Sequence, residues 1–469
     1  TGFRPLAGAT EPMSEALDFS LRRQAEAIAA GEIDPAELLD AALERIGERN
    51  PALNAVVETF PERSREMLAS APGGPLHGVP VVIKDEWPLP WRAQRFGAAE
   101  MLAETAPGES GPYRALRDAG AVIVGVGNMH ELGASSTGNI SVYGPARNPW
   151  NTERCPGGSS SGPASAVAAR LVAGAVGADG IGSIRYPAAY CGLTGLKPTF
   201  GRSAMAGHHM AGVSSTIVSG PLCLDAADCR LLGSVLFGEE LAPTDPAGLR
   251  IGVMRGEVSE DVAPQVGEAC EAAIEDLRRE TGGEIREIEL PELAAATLAT
   301  VLIANSESLG GITPERLNDL DPELSPIGRG LLKYRMLLPA VATIKSQQVR
   351  TLARQTLAAV FDDVDVIAWP TVPAVAPPLE APIVELPSGT LTADEANVRG
   401  GALANLTGTP AISVPVGSAD GLPVALQLQA AWGRDELLLD AAEAIERANG
   451  RRWVEATPPS ARGAEPLEA

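Results

Sequence analysis

Hydrophobic positions recur at helical spacing in some stretches of the chain and at strand spacing in others. In residues 14–49 the helical spacing breaks at residues 31–35, which predicts two helices, the second with Asp34 as its N-cap and Pro35 in its first turn. The run VPVVIK predicts a strand that ends at Lys84, and residues 111–127 predict a helix, a turn and another strand. This alternation is typical of α/β folds.

The later part of the chain continues the pattern. Residues 246–290 predict a strand, a helix and a strand, and residues 295–362 are mainly helical in their spacing. The segment DVIAWP predicts a buried strand, which leads into a proline-rich loop without helix potential. The runs AISVPVG and LPVALQLQA predict two more strands, and residues 434–448 predict a last helix. The tail, residues 458–469, is expected to be disordered.

The segment of residues 155–202 stands apart because two glycine-flanked serine clusters bracket it. Ser159, Ser160 and Ser161 follow two glycines, and Ser183 follows Gly182. The small residues 163–176 between the clusters predict a buried helix, for which the first serines could simply be caps. Glycines around Ser183 allow successive backbone N–H groups to point into one concavity, which suits an oxyanion or a phosphate. A nucleotide loop is disfavoured, since the Gly-Lys-Ser/Thr ending is missing.

Composition and charge exclude several classes of protein. The 469 residues are 45% hydrophobic and 21% charged, without an apolar run of 18, so no membrane span is expected. The net charge of −23 argues against nucleic-acid binding. Five cysteines without CxxC spacing predict neither disulfides nor a zinc site, and no metal or cofactor is expected. A reducing, cytoplasmic location fits best, although a chain that begins at Thr1 could have lost an upstream signal.

Lys84 and the histidines are the first candidates for chemistry. A lysine at a strand end ordinarily reaches solvent, but a buried lysine loses its proton more easily and can act as a base. His130 invites a Ser–His interpretation, yet no serine stands in a GxSxG context, so a Ser–His–Asp triad is disfavoured. His208 and His209 lie in a loop that could face a ligand or solvent.

Taken together, the motifs resemble the amidase signature family. The resemblance spans residues 15–445 and rests on GVPVVIKD, GASSTGN, GPARNPW, PGGSSSG, GSIRYPAAYCGLTGLKPTFGR and the pair AISVPVG and GLPVALQLQ. It implies a single large α/β/α domain with a central mixed β-sheet covered by helices. Within residues 1–469 we expect N-terminal helices in 1–75, a catalytic core in 76–240 and a variable helical roof over the pocket in 290–362.

The resemblance also implies a catalytic group. The family's lysine, its serine in a cis peptide bond and its nucleophilic serine fall on Lys84, Ser159 and Ser183, which are 75 (159 − 84) and 24 (183 − 159) residues apart. Neutral Lys84 would take a proton from Ser159, which would take one from Ser183 as it attacks an amide carbonyl. The backbone N–H groups of Gly180, Ile181, Gly182 and Ser183 would hold the oxyanion.

Four more residues follow from the resemblance as supports of the site. Asp179 and Arg185 would be structural partners that hold the nucleophile loop, although a surface ion pair of little energetic value is the alternative. Ser136 and Ser160 would supply supporting hydroxyls. One residue departs from the family pattern: Ile181 stands inside a loop that usually reads Asp-Thr-Gly-Gly-Ser, and an isoleucine tolerates positive φ poorly.

The resemblance leaves the substrate open. The first hypothesis is an amidohydrolase that cleaves a small-molecule carboxamide to a carboxylate and ammonia or an amine. The alternative is a glutamine-hydrolysing subunit of the amidotransferase A type, against which Tyr186 stands where those subunits carry glutamine. A third is a partner-dependent member, or one that has lost activity through Ile181. A homodimer is compatible with all three.

Overall fold

The structure, a computed structural model, describes residues 11–98, 108–208, 214–308, 324–450 and 457–461. The predictions for His209 and for residues 462–469 of the tail lie outside these ranges. The helices are α1 (Glu11–Ala16), α2 (Leu21–Ala29), α3 (Pro35–Leu53), α4 (Pro61–Ala69), α5 (Gly111–Asp118), α6 (Ser161–Ala168), α7 (Arg185–Cys191), α8 (Ala226–Phe237), α9 (Glu257–Glu260), α10 (Pro264–Thr281), α11 (Leu293–Glu307), α12 (Pro326–Met336), α13 (Ala340–Asp363), α14 (Ala393–Thr407) and α15 (Asp435–Ala448).

Eleven strands form one mixed sheet in the order β1-β3-β2-β4-β6-β5-β12-β13-β9-β7-β8, and β10 and β11 form a separate hairpin. The strands are β1 (Val56–Thr59), β2 (Pro80–Lys84), β3 (Val122–Gly127), β4 (Gly174–Asp179), β5 (Thr194–Lys197), β6 (Val218–Cys223), β7 (Arg250–Met254), β8 (Glu284–Ile288), β9 (Val366–Pro370), β10 (Ile383–Leu386), β11 (Gly389–Thr392), β12 (Ala411–Ala419) and β13 (Leu422–Ala430).

Helices cover both faces of the sheet. Along β2, Val81 and Ile83 belong to one apolar cluster with α8, α10 and α15, whereas Val82 belongs to another with α3 and α6. Neighbouring side chains of a strand point to opposite faces, so the sheet is buried from both sides. The predicted α/β class with a helix-covered mixed sheet is confirmed.

The local predictions are confirmed at most elements. Asp34 caps α3 by accepting a hydrogen bond from the Ala36 N–H at 2.8 Å, with Pro35 at the first helical position. The part of the tail in residues 459–461 forms a 3-10 turn rather than a disordered end, and Ser460 Oγ donates to the Pro149 carbonyl at 2.8 Å. None of the described helices combines the length and apolar character that crossing a bilayer requires.

The helix predicted for residues 163–176 is wrong in its extent. Helix α6 ends at Ala168, and Arg170 adopts a left-handed φ of 58°, which a continuing helix does not allow. Gly174 then begins β4, which pairs in parallel with β2. Small apolar residues therefore serve a buried strand as readily as a buried helix, and the run contains both.

Parallel pairing of β2 with β4 positions the site. Lys84 ends β2 and Asp179 ends β4, so both carboxyl ends meet at one edge of the sheet. The loop of residues 180–184 leaves β4 at this edge and enters α7, and the serine cluster at the start of α6 lies beside it.

Candidate active site

Lys84 is buried, not solvent-exposed. Its side chain is 1% exposed, and its Nζ lies 2.9 Å from Ser159 Oγ and 2.6 Å from Glu86 Oε2. A third contact, of 3.4 Å, reaches the Ala178 carbonyl at the end of β4. The lysine thus links the end of its own strand to the serine cluster and to the neighbouring strand.

Ser159 is held where the chain enters α6. The peptide bond between Gly158 and Ser159 is cis, as the family resemblance implies. Its neighbour Ser160 donates its N–H to the Ser183 carbonyl at 3.3 Å and exchanges hydrogen bonds with both backbone groups of Ala178. Ser160 therefore ties the backbone of the predicted nucleophile to the segment that carries Ser159.

The loop before Ser183 is built around the Asp179 carboxylate. Asp179 accepts hydrogen bonds from the Gly182 N–H at 2.7 Å and from the Ile184 N–H at 3.2 Å. The Gly182 N–H is thereby engaged by the carboxylate of its own loop, which disfavours the place expected for it in the oxyanion hole. For the N–H groups of Gly180, Ile181 and Ser183, the structure records no hydrogen bond to any described residue.

Arg185 and Asp179 form a buried ion pair, not a surface one. Both side chains are 0% exposed, with Nε and Oδ2 separated by 3.0 Å. Arg185 also donates to Gln427 Oε1 at 2.7 Å and to Asn405 Oδ1 at 2.6 Å. Burial alone would raise the pKa of Asp179, but Arg185 lowers it to about 2, which keeps the loop's anchor ionised. This arrangement agrees with the structural role expected for the pair.

Tyr186 fixes the peptide between Ile181 and Gly182 from the other side. Its hydroxyl donates to the Ile181 carbonyl at 2.6 Å, so this peptide is held at both its C=O and its N–H. Gly182 has a positive backbone φ, of 132°, whereas Ile181 does not. Ile181 is therefore not forced into the conformation that isoleucine tolerates poorly. A Cβ on Gly182 would lie 2.1 Å from the Tyr186 ring.

Comparison with known proteins places the chain in a family. A sequence model of the Amidase family matches residues 37–439. The chain belongs to the amidase signature family. The A subunit of the glutamyl-tRNA(Gln) amidotransferase of Methylococcus capsulatus is 34% identical over 93% of this chain and 99% of its own length. Among solved structures, an amidase matches at 30% identity with a TM-score of 0.84, covering 92% of this chain and 99% of its own. A 6-aminohexanoate cyclic dimer hydrolase complexed with substrate is 26% identical, with a TM-score of 0.82, and the match covers 95% of this chain and 99% of its own.

Family membership confirms the prediction of an enzyme that acts on carboxamide C–N bonds. Further curated relatives, 32–35% identical, are likewise named as the A subunits of glutamyl-tRNA(Gln) amidotransferases. These relatives support the amidotransferase alternative better than the small-molecule amidohydrolase.

Ser136 contacts α14 rather than the predicted catalytic residues. Its N–H and its hydroxyl both donate to Asp394 Oδ1 at 2.6 Å, and its Oγ accepts from Asn397 Nδ2 at 3.0 Å. Asn397 in turn accepts from the Tyr190 hydroxyl at 3.1 Å. This network fixes the 135–139 loop, which lies against Gly158, to α14 and α7.

The histidines divide between two environments. His130 is buried, and desolvation lowers its pKa to about 4, so it is neutral. Its backbone N–H donates to the Ser159 carbonyl at 3.2 Å, while its ring nitrogen Nδ1 has no hydrogen-bond partner in the described part of the chain. His208 is buried as well, with its Nε2 2.8 Å from Glu86 Oε1. The solvent-exposed alternative for His208 is therefore wrong, and contact with a ligand stays a prediction.

Three residues at the site carry no clear signal in the sequence. Glu86 lies two positions after Lys84, and this spacing alone could have suggested that the two side chains share one face. Tyr186 stands out in the sequence only as a mismatch with glutamine. Asn405 lies on α14, more than 200 residues from the loop, and donates to Asp179 at 2.9 Å; no local pattern marks such a contact.

Proposed function

We propose that the chain cleaves a carboxamide through an acyl-enzyme on Ser183, with Lys84 and Ser159 as its proton relay. The observation that carries this proposal is the 2.9 Å contact between Lys84 Nζ and Ser159 Oγ inside the protein. A serine hydroxyl needs an adjacent base to become a nucleophile, and the buried lysine meets the relay serine at hydrogen-bond distance.

In the first step Ser183 Oγ attacks the carbonyl carbon while its proton passes to Ser159, whose own proton passes to neutral Lys84. The N–H groups of Gly180, Ile181 and Ser183, which have no recorded partner among the described residues, donate to the oxyanion; removal of one such donor costs about 2.7–4 kcal/mol in comparable enzymes. The proton returns through Ser159 to the leaving nitrogen. Water then hydrolyses the ester on Ser183.

The first candidate substrate is the side-chain amide of glutamine, with the chain acting as an amidotransferase A-type subunit. The support is the shared name and near full-length match of the curated relatives. The test is ammonia release from glutamine by the purified chain, alone and mixed with the other subunits of a bacterial glutamyl-tRNA(Gln) amidotransferase. Ammonia release that rises on mixing supports this candidate. No release under either condition, from protein that reacts covalently at Ser183, refutes it.

The second candidate is hydrolysis of another small amide, which a structural observation favours. Tyr186 packs between Gly182 and Gly401, where added Cβ atoms would lie 2.1 Å and 1.8 Å from it, beside the predicted oxyanion loop. An aromatic ring thus packs against this loop at the position where the A-type subunits are expected to carry glutamine. A panel of aliphatic amides, aryl acylamides, peptide amides and cyclic amides, assayed beside glutamine, decides between the candidates by the ratio of their kcat/KM values.

Two further expectations stay predictions. A homodimer is tested by size-exclusion chromatography with light scattering, in which a single-chain mass contradicts it. A cytoplasmic location agrees with the five cysteines, all of which are buried and unpaired. Fractionation of cells that express the native gene tests it.

A further inference from the structure

Glu86 occupies an unusual place beside the predicted catalytic lysine. Its Oε2 lies 2.6 Å from Lys84 Nζ, and only 6% of Glu86 is exposed to solvent. The other carboxylate oxygen, Oε1, lies 2.8 Å from His208 Nε2. The His208 ring is itself held between Trp87 and Phe96, with centroid distances of 5.1 Å and 5.8 Å.

Oxygen atoms contact the lysine nitrogen on three sides. Lys84 Nζ has three oxygen neighbours within 3.4 Å, Ser159 Oγ, Glu86 Oε2 and the Ala178 carbonyl, which match the three N–H donors of the ammonium that forms once the relay has run. One side of the nitrogen thus faces the relay serine, and another side faces a carboxylate. In enzymes with an activated nucleophile, the base is itself commonly oriented by a third group.

We propose that Glu86, held by His208, is the positioning residue of Lys84: it orients the amine toward Ser159 and stabilises the ammonium that forms when Ser183 attacks. The proposal rests on the proposed function, since it assigns a partner to that same base. The proton balance is simple. One proton moves from Ser183 to Ser159 and one from Ser159 to Lys84, Glu86 stays a carboxylate throughout, and both transfers reverse when the leaving nitrogen is protonated.

Electrostatics favour the ionised form of Glu86. Burial would raise the pKa of its carboxyl, but Lys84 and His208 together hold it well below its ordinary value. Among the described residues, the titratable groups that face the carboxylate are Lys84 from β2 and His208 from the loop after β5.

The test compares Glu86→Gln with a matched control, Glu446→Gln. Both glutamates are 6% exposed, but Glu446 lies on α15, where it accepts from Thr194 Oγ1 and the Ala226 N–H, each at 2.9 Å. The readout is the rate of covalent labelling by a fluorophosphonate as a function of pH, together with kcat and KM on whichever amide the wild type cleaves. Thermal unfolding of each variant reports the structural cost separately.

We expect Glu86→Gln to slow labelling and kcat by about 10–100-fold with little change in KM. We also expect the acid limb of its pH profile to move to lower pH by at least about one unit, since the ammonium form has lost its carboxylate. The Glu446→Gln variant keeps the wild-type profile.

A merely structural role would lower the rate without moving the pH profile, and that result overturns the proposal. Wild-type labelling rates in folded Glu86→Gln overturn it as well. Neither outcome touches the proposed function, which fails if the wild type forms no adduct at Ser183 or if folded Lys84→Ala is labelled at the wild-type rate.

Discussion

Substituting Tyr186 with phenylalanine tests how the nucleophile loop is held. The change removes only the hydroxyl that donates to the Ile181 carbonyl at 2.6 Å and leaves the ring that packs on Gly182. The peptide that follows Ile181 then keeps one of its two anchors, the hydrogen bond from the Gly182 N–H to Asp179. The adjacent N–H groups, which we propose as the oxyanion donors, lose part of their fixed orientation.

The expected cost follows from the chemistry of a buried acceptor. Leaving a buried carbonyl unsatisfied costs about 1–3 kcal/mol, and Tyr186 is 3% exposed, so water replaces the hydroxyl poorly. If this free energy is lost from the transition state, the labelling rate and kcat/KM of Tyr186→Phe fall by about 5–150-fold, at 1.4 kcal/mol per factor of ten. Fluorophosphonate labelling measures this directly and needs no knowledge of the substrate.

Tyr190→Phe is the matched control. Tyr190 lies on the same helix, α7, is also buried, and donates its hydroxyl to Asn397 Oδ1 rather than to the 180–184 loop. We expect this variant to lose about as much stability as Tyr186→Phe but to be labelled at nearly the wild-type rate. Equal labelling rates for the wild type and folded Tyr186→Phe would refute the claim that Tyr186 holds the oxyanion donors in place.

Two further predictions concern the same loop. The shift of the Asp179 pKa from 3.8 to about 2 corresponds to about 2–3 kcal/mol of stability, present in full above about pH 4 and lost as pH falls through 2. Asp179→Asn leaves Arg185 buried without its negatively charged partner and therefore lowers the free energy of unfolding by about 2–5 kcal/mol at pH 7. Equal urea midpoints at that pH would contradict this. In Gly182→Ala the added Cβ would lie 2.1 Å from the Tyr186 ring, and the residue would have to adopt a positive φ. We expect this variant to be labelled at least about 100-fold more slowly. Near-normal labelling would show that the loop adapts.

The sequence marked the segments of the site, whereas the roles of their residues came from the family resemblance. The strand that ends at Lys84 and the two glycine-flanked serine clusters carry local signals. The resemblance also implied that Asp179 and Arg185 are partners. Their further contacts with Gln427 and Asn405 come from elements more than 200 residues away, and no periodicity reports such a pairing.

The errors have physical causes that are equally specific. Gly182 was expected to donate to the oxyanion, but its N–H donates to the side chain of Asp179, three residues earlier in the chain. A pattern of glycines does not reveal this competing acceptor. The helix prediction ran past Ala168 because alanine, valine and glycine suit buried strands and buried helices alike. Arg170, in its left-handed conformation, is where the two elements separate.

The central claim is that Ser183 is the nucleophile and that Lys84 is the base which activates it through Ser159. Intact-protein mass after incubation with a fluorophosphonate, on the wild type, Ser183→Ala and Lys84→Ala, tests it most directly. The account predicts a single adduct on the wild type, none on Ser183→Ala and a much slower one on Lys84→Ala. An adduct that persists on Ser183→Ala, or an unchanged rate in folded Lys84→Ala, would contradict it.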